Sequence, residues 1–294
     1  MKNPLTFDLE EYFHVSAYED RVSPQDWNSY PSRIAESTDR ILELLDLHHY
    51  RATFFVLGWL AEKRPEVVKR VAAAGHEIAC HSHLHRRVFE MTRQEFREDT
   101  NRAKSLLEDA TGVRVLGYRA PSFSVTAAST WALEILAESG FQYDSSIYPV
   151  EHPSYGIPNM PRTPFWIDTP SGAILEFPMT VLELAGCRSP LAGGAYLRVL
   201  PYLYTRWGIR YLNQREQRTA CVYVHPWEID PGQPRLKGRL SSGVRHRLGI
   251  RSLERKLVRL MDDFEFCPLS DLRDQYFKGL GCEVETERTS KSTA

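Results

Sequence analysis

The sequence has few cysteines, no excess of charge of either sign and no long apolar run. Its 294 residues have a formal net charge of −1, which gives no reason to expect nucleic-acid binding. No apolar run approaches the roughly 20 residues that span a bilayer, and the first residues lead into an apparent strand without a signal-peptide hydrophobic region. The five cysteines are too scattered for a disulfide framework. We therefore expect a cytoplasmic chain without a transmembrane segment.

The composition and the order of elements are those of an α/β enzyme. Hydrophobic residues make up 42% of the chain and charged residues 26%, which is ordinary for a globular protein. Apolar strands alternate with helices, a pattern typical of βα units around a parallel sheet. About seven such units predict a distorted and incomplete (β/α)7 barrel with a C-terminal extension.

The pattern also predicts where the elements lie. Strands are predicted at residues 5–10, 52–58, 76–81, 115–119, 143–146, 174–179 and 220–225. Helices are predicted at residues 31–47, 61–74, 93–110, 126–139, 197–213 and 252–264. The proline-rich stretch 150–170 is expected to be a long ordered excursion over one barrel face. Residues 1–230 then form the barrel, 231–278 an extension packed on it and 279–294 a disordered tail.

The stretch from Cys80 to His85 carries the strongest chemical signal. His81 and His85 are four residues apart, which on one side of a helical turn lets both imidazoles reach a single metal ion. Two histidines and one carboxylate leave an open coordination position for water, as in hydrolytic metal sites. Cys80 is expected to face the core, because neighbours in an extended segment point to opposite faces.

Further ionisable residues stand at consecutive strand ends, where the chemistry of βα folds collects. With the histidine motif they form one ordered set, which is Asp8 and Glu10, His81, Arg119, Asp144 and His225. So many charged strand ends would be unusual in a structural protein, and they predict an active site.

The order of these motifs resembles the polysaccharide deacetylase (NodB-homology, carbohydrate esterase 4-like) family. The matching motifs are the acidic first strand, H-S-x-x-H at 81–85, R-x-P at 119–121, an aspartate strand at 143–146 and a late strand ending in His225. The run Gly75-His76-Glu77-Ile78 also matches. The opening F-D-x-E-x-Y-F at 7–13 and the C-terminal extension resemble the deacetylases found beside bacterial exopolysaccharide and PEP-CTERM/exosortase genes. The resemblance covers roughly residues 4–230.

The resemblance implies metal-dependent removal of N-acetyl groups from a glycan. It assigns Asp8 as general base, His225 as general acid, Arg119 as the cation that holds Asp8 ionised and Asp144 as the anion that keeps His225 charged. A backbone N–H near Ala120 is expected to stabilise the oxyanion.

The implied ligands and partners complete the expected site. The metal ligands are Glu10, His81 and His85, and the ion is one divalent cation, with zinc expected and cobalt, nickel or iron also compatible. The expected substrate contacts are Pro121, Phe123 and Trp227, and the partner is an acetylated glycan rather than nucleic acid.

One departure from the family pattern leaves the third ligand open. The family has two adjacent aspartates, but Leu9 follows Asp8 here and cannot bind a metal. Strand alternation puts Glu10 on the same face as Asp8, so Glu10 is the expected ligand. A bulge near the strand end would favour Glu11 instead.

Two other functions remain open at this point. One is a small-molecule amide hydrolase on the same scaffold, such as an allantoinase-like or formamide-cleaving enzyme, which a deep closed cleft would favour. The other is a glycan-binding module with a decayed site. The intact set of ionisable strand ends argues against decay.

Overall fold

The computed structural model describes residues 1–15, 18–153, 155–236 and 246–290, the last eleven of these by backbone alone. In chain order the strands and helices are β1 (Asn3–Leu9), α1 (Ile34–Leu47), β2 (Thr53–Val56), α2 (Gly58–Lys63), α3 (Pro65–Ala73), β3 (Glu77–Cys80), α4 (Arg93–Thr111), β4 (Gly117–Tyr118), α5 (Trp131–Glu138), β5 (Tyr143–Asp144), β6 (Phe165–Thr169), β7 (Gly172–Glu176), β8 (Val181–Leu184), β9 (Cys187–Pro190), α6 (Gly194–Val199), α7 (Tyr202–Gln214), β10 (Val222–Val224), α8 (Ile250–Asp263), β11 (Phe266–Cys267) and α9 (Leu269–Ser290).

A nine-stranded sheet forms the centre of the fold. Its strand order is β10-β1-β2-β3-β4-β5-β7-β6, with β11 added beside the start of β1. Neighbouring strands are parallel except at the edge, where β6 runs antiparallel to β7. Within the described ranges no pairing joins β6 to β10, so the curled sheet does not close. The expected α/β class and incomplete barrel are confirmed.

The strands are buried because helices and long loops cover the sheet. Every residue of β1 and β2 is buried, as expected for parallel strands covered on both faces. Phe7 and Phe54 stack across the β1–β2 pair with ring centroids 5.0 Å apart. These contacts give a rigid frame from which the strand ends project.

Strand register brings the polar strand ends to one level. Leu9 pairs with Val56, Val56 with Cys80, and Cys80 with Tyr118, so the residues that follow β1, β3 and β4 emerge side by side. On the other side of β1, Phe7 pairs with Val224. That pairing puts the residue after β10 beside the end of β1.

Two predicted helices are each divided by a proline. The helix predicted at 61–74 is α2 followed by α3, which begins at Pro65, and the helix predicted at 197–213 is α6 followed by α7 after Pro201. Proline has no backbone N–H to continue a helix, but it suits the start of a new one. Gly75 follows α3 with a left-handed φ of 80°, a conformation that favours glycine at the end of a helix.

The second half of the chain contains pairings that the sequence pattern did not predict. Residues 165–169, expected within a loop, form β6 and pair with β7, and β8 and β9 form a separate hairpin. The extension joins the barrel directly, since β11 pairs with β1. Helix α9 continues through residues 279–290, where a disordered tail was expected and where no proline interrupts the chain; residues 291–294 lie outside the described part. None of the helices in that part has the length and apolar content needed to cross a bilayer.

Candidate active site

Arg119 is buried at the end of β4 and binds the carboxylate of Asp8. Its Nη1 donates to Asp8 Oδ1 at 2.7 Å and to Thr6 Oγ1 at 2.8 Å, while its Nε donates to the carbonyl of Ser145 at 3.2 Å. The guanidinium carbon lies 4.0 Å from the ring centroid of Phe55. Burial opposes the charge on Arg119, but the Asp8 carboxylate raises the pKa of the guanidinium above its ordinary value. The pair thus holds Asp8 in one orientation.

Glu10, His81 and His85 form a buried group beside this pair. Their possible ligand atoms all lie within 4.8 Å of one another, and Glu10 Oε2 is 2.7 Å from His85 Nε2. His81 Nδ1 donates to the Arg119 carbonyl at 2.8 Å, which leaves the Nε2 lone pair free for a cation. Burial lowers the pKa of His81 to about 4, so the ring is neutral at physiological pH. This donor set fits a divalent cation; metal binding itself stays a prediction.

The two histidines reach each other from a loop and not from a helical turn. Residues 81–87 follow β3 without helical structure, and Ser82 and His85 have left-handed φ values of 69° and 53°. The carboxylate of Asp99 on α4 accepts the backbone N–H of His83 at 2.8 Å and so anchors the loop. The expected helical turn is therefore wrong, although the two rings still approach to 5.4 Å. Strained backbone of this kind often marks functional sites.

Glu11 serves a different purpose from Glu10. Its carboxylate accepts the backbone N–H of Arg33 at 3.1 Å and that of Ile34 at 3.3 Å, and it also binds the Ser32 hydroxyl. An anion at the start of α1 satisfies N–H groups that have no partner within the helix. Strand alternation therefore holds, and it is Glu10 that lies beside the histidines.

His225 approaches Glu10 from β10. Its Nε2 lies 3.5 Å from Glu10 Oε1 and 3.8 Å from Asp8 Oδ2, while its Nδ1 lies 2.9 Å from Glu228 Oε2. The other oxygen of Glu228 accepts a hydrogen bond from Arg198 Nε at 2.6 Å. Burial alone would lower the pKa of His225, but the carboxylate of Glu228, with those of Glu10 and Asp8, raises it to about 9. His225 is thus held as an imidazolium.

Asp144 does not perform the role that the resemblance implied. Its carboxylate accepts the Ser146 hydroxyl at 2.6 Å and the Ser146 N–H at 3.2 Å, and it pairs in register with Glu176 on β7. Burial raises the pKa of both carboxyls, and the charge of Asp144 further raises that of Glu176. The prediction that Asp144 keeps His225 charged is wrong, because Glu228 occupies that position.

The backbone at Ala120 is also occupied. Its N–H donates to Ser146 Oγ at 2.8 Å, within the same network as Asp144. The expectation that this N–H faces a developing oxyanion is therefore not met by the structure.

The three expected substrate contacts are all buried. Trp227 donates from Nε1 to Glu10 Oε1 at 3.1 Å, and its ring stacks between those of His225 and His246 at 5.2 and 4.3 Å. Pro121 and Phe123 are covered as well, and the Phe123 ring packs on aromatic neighbours and on Arg119. The structure therefore shows Trp227 orienting Glu10, and substrate contact by the other two stays a prediction.

Glu228 and Arg198 are the functional candidates that sequence reasoning missed. The signal for Glu228 was present, because a carboxylate three residues after His225 can return to the backbone N–H that opens a short helix. Arg198 carried no such signal, since it is 30 residues from Glu228 along the chain.

Comparison with known proteins agrees with this geometry. A sequence profile described as "Polysaccharide deacetylase" matches residues 24–143. This match covers less than half of the chain. A second profile, described as a domain of unknown function (DUF3473), matches residues 145–274.

Two curated proteins with similar segments are named deacetylases. A peptidoglycan-N-acetylglucosamine deacetylase from Bacillus cereus is 39% identical over 30% of this chain and 30% of its own length. A peptidoglycan deacetylase from Helicobacter pylori is 32% identical over 37% of this chain and 36% of its own. The chain thus spans about a third of the length of these relatives.

Solved structures share the whole fold at low identity. A structure from Mycobacterium smegmatis, provisionally assigned as a polysaccharide deacetylase, is 23% identical over 92% of this chain and 88% of its own, with a TM-score of 0.59. An allantoinase is 18% identical over 93% of this chain and 89% of its own, with a TM-score of 0.61. These likenesses establish the fold and leave the reaction to the site.

The site draws on more than the segment matched as deacetylase. His81, His85 and Arg119 lie within that segment, whereas Asp8 and Glu10 precede it. His225, Glu228 and Arg198 come from the segment of unknown function. That second segment therefore supplies both the histidine and the carboxylate that charges it.

Proposed function

We propose that this protein is a metal-dependent hydrolase that removes N-acetyl groups from a glycan. The observation that carries the proposal is the group of Glu10, His81 and His85, with Asp8 and His225 next to it and 3.8 Å from each other. Each flanking residue has its own fixed counter-charge, Arg119 for Asp8 and Glu228 for His225.

The donor set defines what an ion would contribute. A divalent cation held by Glu10, His81 and His85 would lower the pKa of a water molecule and polarise the acetyl carbonyl. Zinc suits two imidazoles and a carboxylate, and cobalt, nickel and iron are compatible with the same ligands.

Asp8 and His225 divide the proton transfers. Asp8 accepts a proton from the attacking water, and its hydrogen bond from Arg119 fixes the orientation of its carboxylate. His225 donates the proton on Nε2 to the leaving nitrogen, because an amide anion is too poor a leaving group. Its Nδ1–H stays hydrogen-bonded to Glu228, which stabilises the imidazolium before transfer.

The substrate class rests on the relatives and on the resemblance. The Bacillus cereus relative is named for N-acetylglucosamine in peptidoglycan, so an acetylated glucosamine glycan is the proposed substrate class. The resemblance to exopolysaccharide-locus deacetylases makes an exopolysaccharide or its precursor the proposed biological form. The shared fold of an allantoinase makes small cyclic amides the second class to test.

Metal content and acetate release together test this proposal, with Glu10→Gln and Glu11→Gln as a matched pair. Both residues are buried glutamates on neighbouring positions, but only Glu10 lies within the histidine group. We expect acetate release from acetylated glucosamine oligomers by the zinc-loaded protein, with metal and activity lost together in Glu10→Gln. Glu11→Gln should keep the metal and cost about 1 kcal/mol of stability through its lost helix cap.

The opposite pattern contradicts the proposal. Full metal occupancy in Glu10→Gln, with loss in Glu11→Gln, would show that the ligand set is wrong. Turnover of allantoin with no acetate release from any glycan would assign the site to small amides.

A further inference from the structure

Helices α6 and α7 expose an unusual amount of apolar side chain. Of the eleven large hydrophobic residues exposed in the described part of the chain, Val199 ends α6, and Leu203 and Trp207 lie four residues apart on one face of α7. Their exposed fractions are 53%, 71% and 44%. Single exposed apolar residues are common, but a group on one face calls for a partner.

Aromatic rings extend this face along α7. The Trp207 ring centroid lies 5.9 Å from that of Tyr204 and 5.8 Å from that of Tyr211. Tyrosine and tryptophan rings have an apolar body and a polar edge, so they suit the boundary between water and an apolar phase.

Helix α8 presents three exposed arginines at the same four-residue spacing. Arg251, Arg255 and Arg259 thus form one stripe along the helix. Most arginines whose side chains the structure describes pair with a carboxylate, as Arg206 does with Asp263 at 2.7 Å. In the ranges described, no ion pair is formed by any arginine of the stripe.

Direct contacts place the stripe beside the apolar face. Lys256 Nζ donates to the carbonyl oxygens of Leu197 at 3.0 Å and Leu200 at 2.8 Å, which binds α8 to the end of α6. The Arg259 guanidinium carbon lies 5.7 Å from the Tyr202 ring centroid, next to Leu203 at the start of α7. The combined area, called the arginine-lined surface below, consists of Val199, Leu203, Trp207, Arg251, Arg255 and Arg259.

We propose that the arginine-lined surface docks onto an anionic lipid bilayer. Unpaired arginines attract lipid headgroups, and the adjoining leucine, valine and tryptophan can insert at the headgroup boundary. None of the six residues of this surface belongs to the candidate active site. A failed test of membrane docking would therefore leave the proposed deacetylase function unaffected.

Other occupants fit the surface less well. A second copy across a two-fold axis would bring each arginine stripe near its own like charges. A sugar chain would stack on Trp207 and the tyrosines but would leave the aliphatic Leu203 and Val199 in water. The combination of aliphatic tips and free cations is what favours the bilayer.

Co-sedimentation of the full chain with vesicles tests the proposal. The probes are vesicles of phosphatidylglycerol mixed with phosphatidylcholine and vesicles of phosphatidylcholine alone. We expect binding to the anionic vesicles that weakens with added salt. The triple variant Arg251→Gln, Arg255→Gln, Arg259→Gln should lower the partition coefficient by about 100-fold. The double variant Leu203→Ser, Trp207→Ser should lower it by at least about tenfold.

Matched variants control for exposure and charge. Leu47 is 72% exposed at the end of α1, so Leu47→Ser repeats the loss of an exposed leucine away from the surface. Arg64→Gln, Arg114→Gln, Arg235→Gln removes the same charge from exposed arginines elsewhere that likewise form no ion pair in the described ranges. Both controls should bind anionic vesicles as the wild type does. All four variants should have the melting temperature of the wild type and hydrolyse a soluble substrate at the same rate.

Four results would overturn the proposal. They are no binding to anionic vesicles, equal binding to neutral ones, equal losses in the control variants, and a dimer in sedimentation that Leu203→Ser, Trp207→Ser abolishes. Retention on an insoluble acetylated glycan that competes with vesicle binding would likewise reassign the surface to a polymer.

Discussion

Replacing Glu228 with glutamine tests how His225 is charged. Glu228 is fully buried between His225 and Arg198, with 2.9 Å to His225 Nδ1 and 2.6 Å to Arg198 Nε. Glutamine keeps the shape and a hydrogen-bond acceptor but removes the negative charge. A cation bound by Glu10 would offset the charge of that carboxylate, so Glu228 is the anion on which the imidazolium then depends.

The expected size of the effect follows from the pKa of His225. Burial lowers this pKa, and the charges of Glu228, Glu10 and Asp8 raise it from 6.5 to about 9, with Glu228 contributing most of the rise. An acid that must be protonated stays active below its folded-state pKa and loses activity as pH rises through it. Without Glu228, the pKa of His225 should fall back toward its ordinary value of 6.5. At pH 8 the protonated fraction, and with it kcat, should then fall by up to roughly 30-fold.

The assay is acetate release at saturating substrate from about pH 6 to 10, with kcat and KM read separately. In Glu228→Gln the alkaline limb of kcat should move to lower pH, and much of the activity should return near pH 6. Glu11→Gln is the control, because Glu11 is another buried carboxylate but caps α1 and has no contact with His225. Its alkaline limb should match the wild type.

A different pH profile would refute the reasoning. If Glu228→Gln loses activity by the same factor at every pH, Glu228 only supports the local structure. An unchanged alkaline limb with normal activity would remove His225 from the acid role.

Two further predictions concern buried carboxyls. Asp8→Asn should keep its metal but lower kcat by roughly 10²–10⁴-fold if Asp8 is the general base, and metal loss measured by elemental analysis would make Asp8 a ligand. Burial and the charge of Asp144 raise the pKa of Glu176 well above 4.5, so the folded protein holds a proton that the unfolded chain releases above that pH. The stability that Glu176 contributes should therefore decline as pH rises above about 4.5, by up to about 1.4 kcal/mol per pH unit, so the wild type should lose stability relative to Glu176→Gln over this range. Thermal melts from about pH 5 to 7 compare the two, and parallel curves would contradict the shared proton.

Local rules predicted the frame of the protein well. Buried apolar runs identified β2 and β3, because a parallel strand covered on both faces needs little beyond an apolar sequence. Thr92 and Glu95 form a capping box at the start of α4, and Gly112 ends it in a left-handed conformation. Such signals lie within a few residues of the feature that they specify, so they can be recognised in a single sequence without knowledge of the tertiary structure.

Where local rules competed, the structure chose between them. Apolar periodicity continued across Pro65 and Pro201, yet proline chemistry divided both helices. Residues 165–169 had strand composition, but proline density around them predicted a loop, and pairing with β7 made them a strand.

By itself the sequence determined the alternation of strands and helices along the chain and the face on which Asp8 and Glu10 lie. It also determined the presence of histidines and an arginine at strand ends. Alternation along a strand and position after a strand are properties of the local chain. Tertiary structure alone decided that Glu228 and not Asp144 meets His225. Asp144 had a competing partner one strand away in Glu176, and Glu228 is held by Arg198 from a helix 30 residues earlier. Which carboxylate reaches a histidine depends on sheet register and helix packing. The spacing of residues along the chain predicts neither of them.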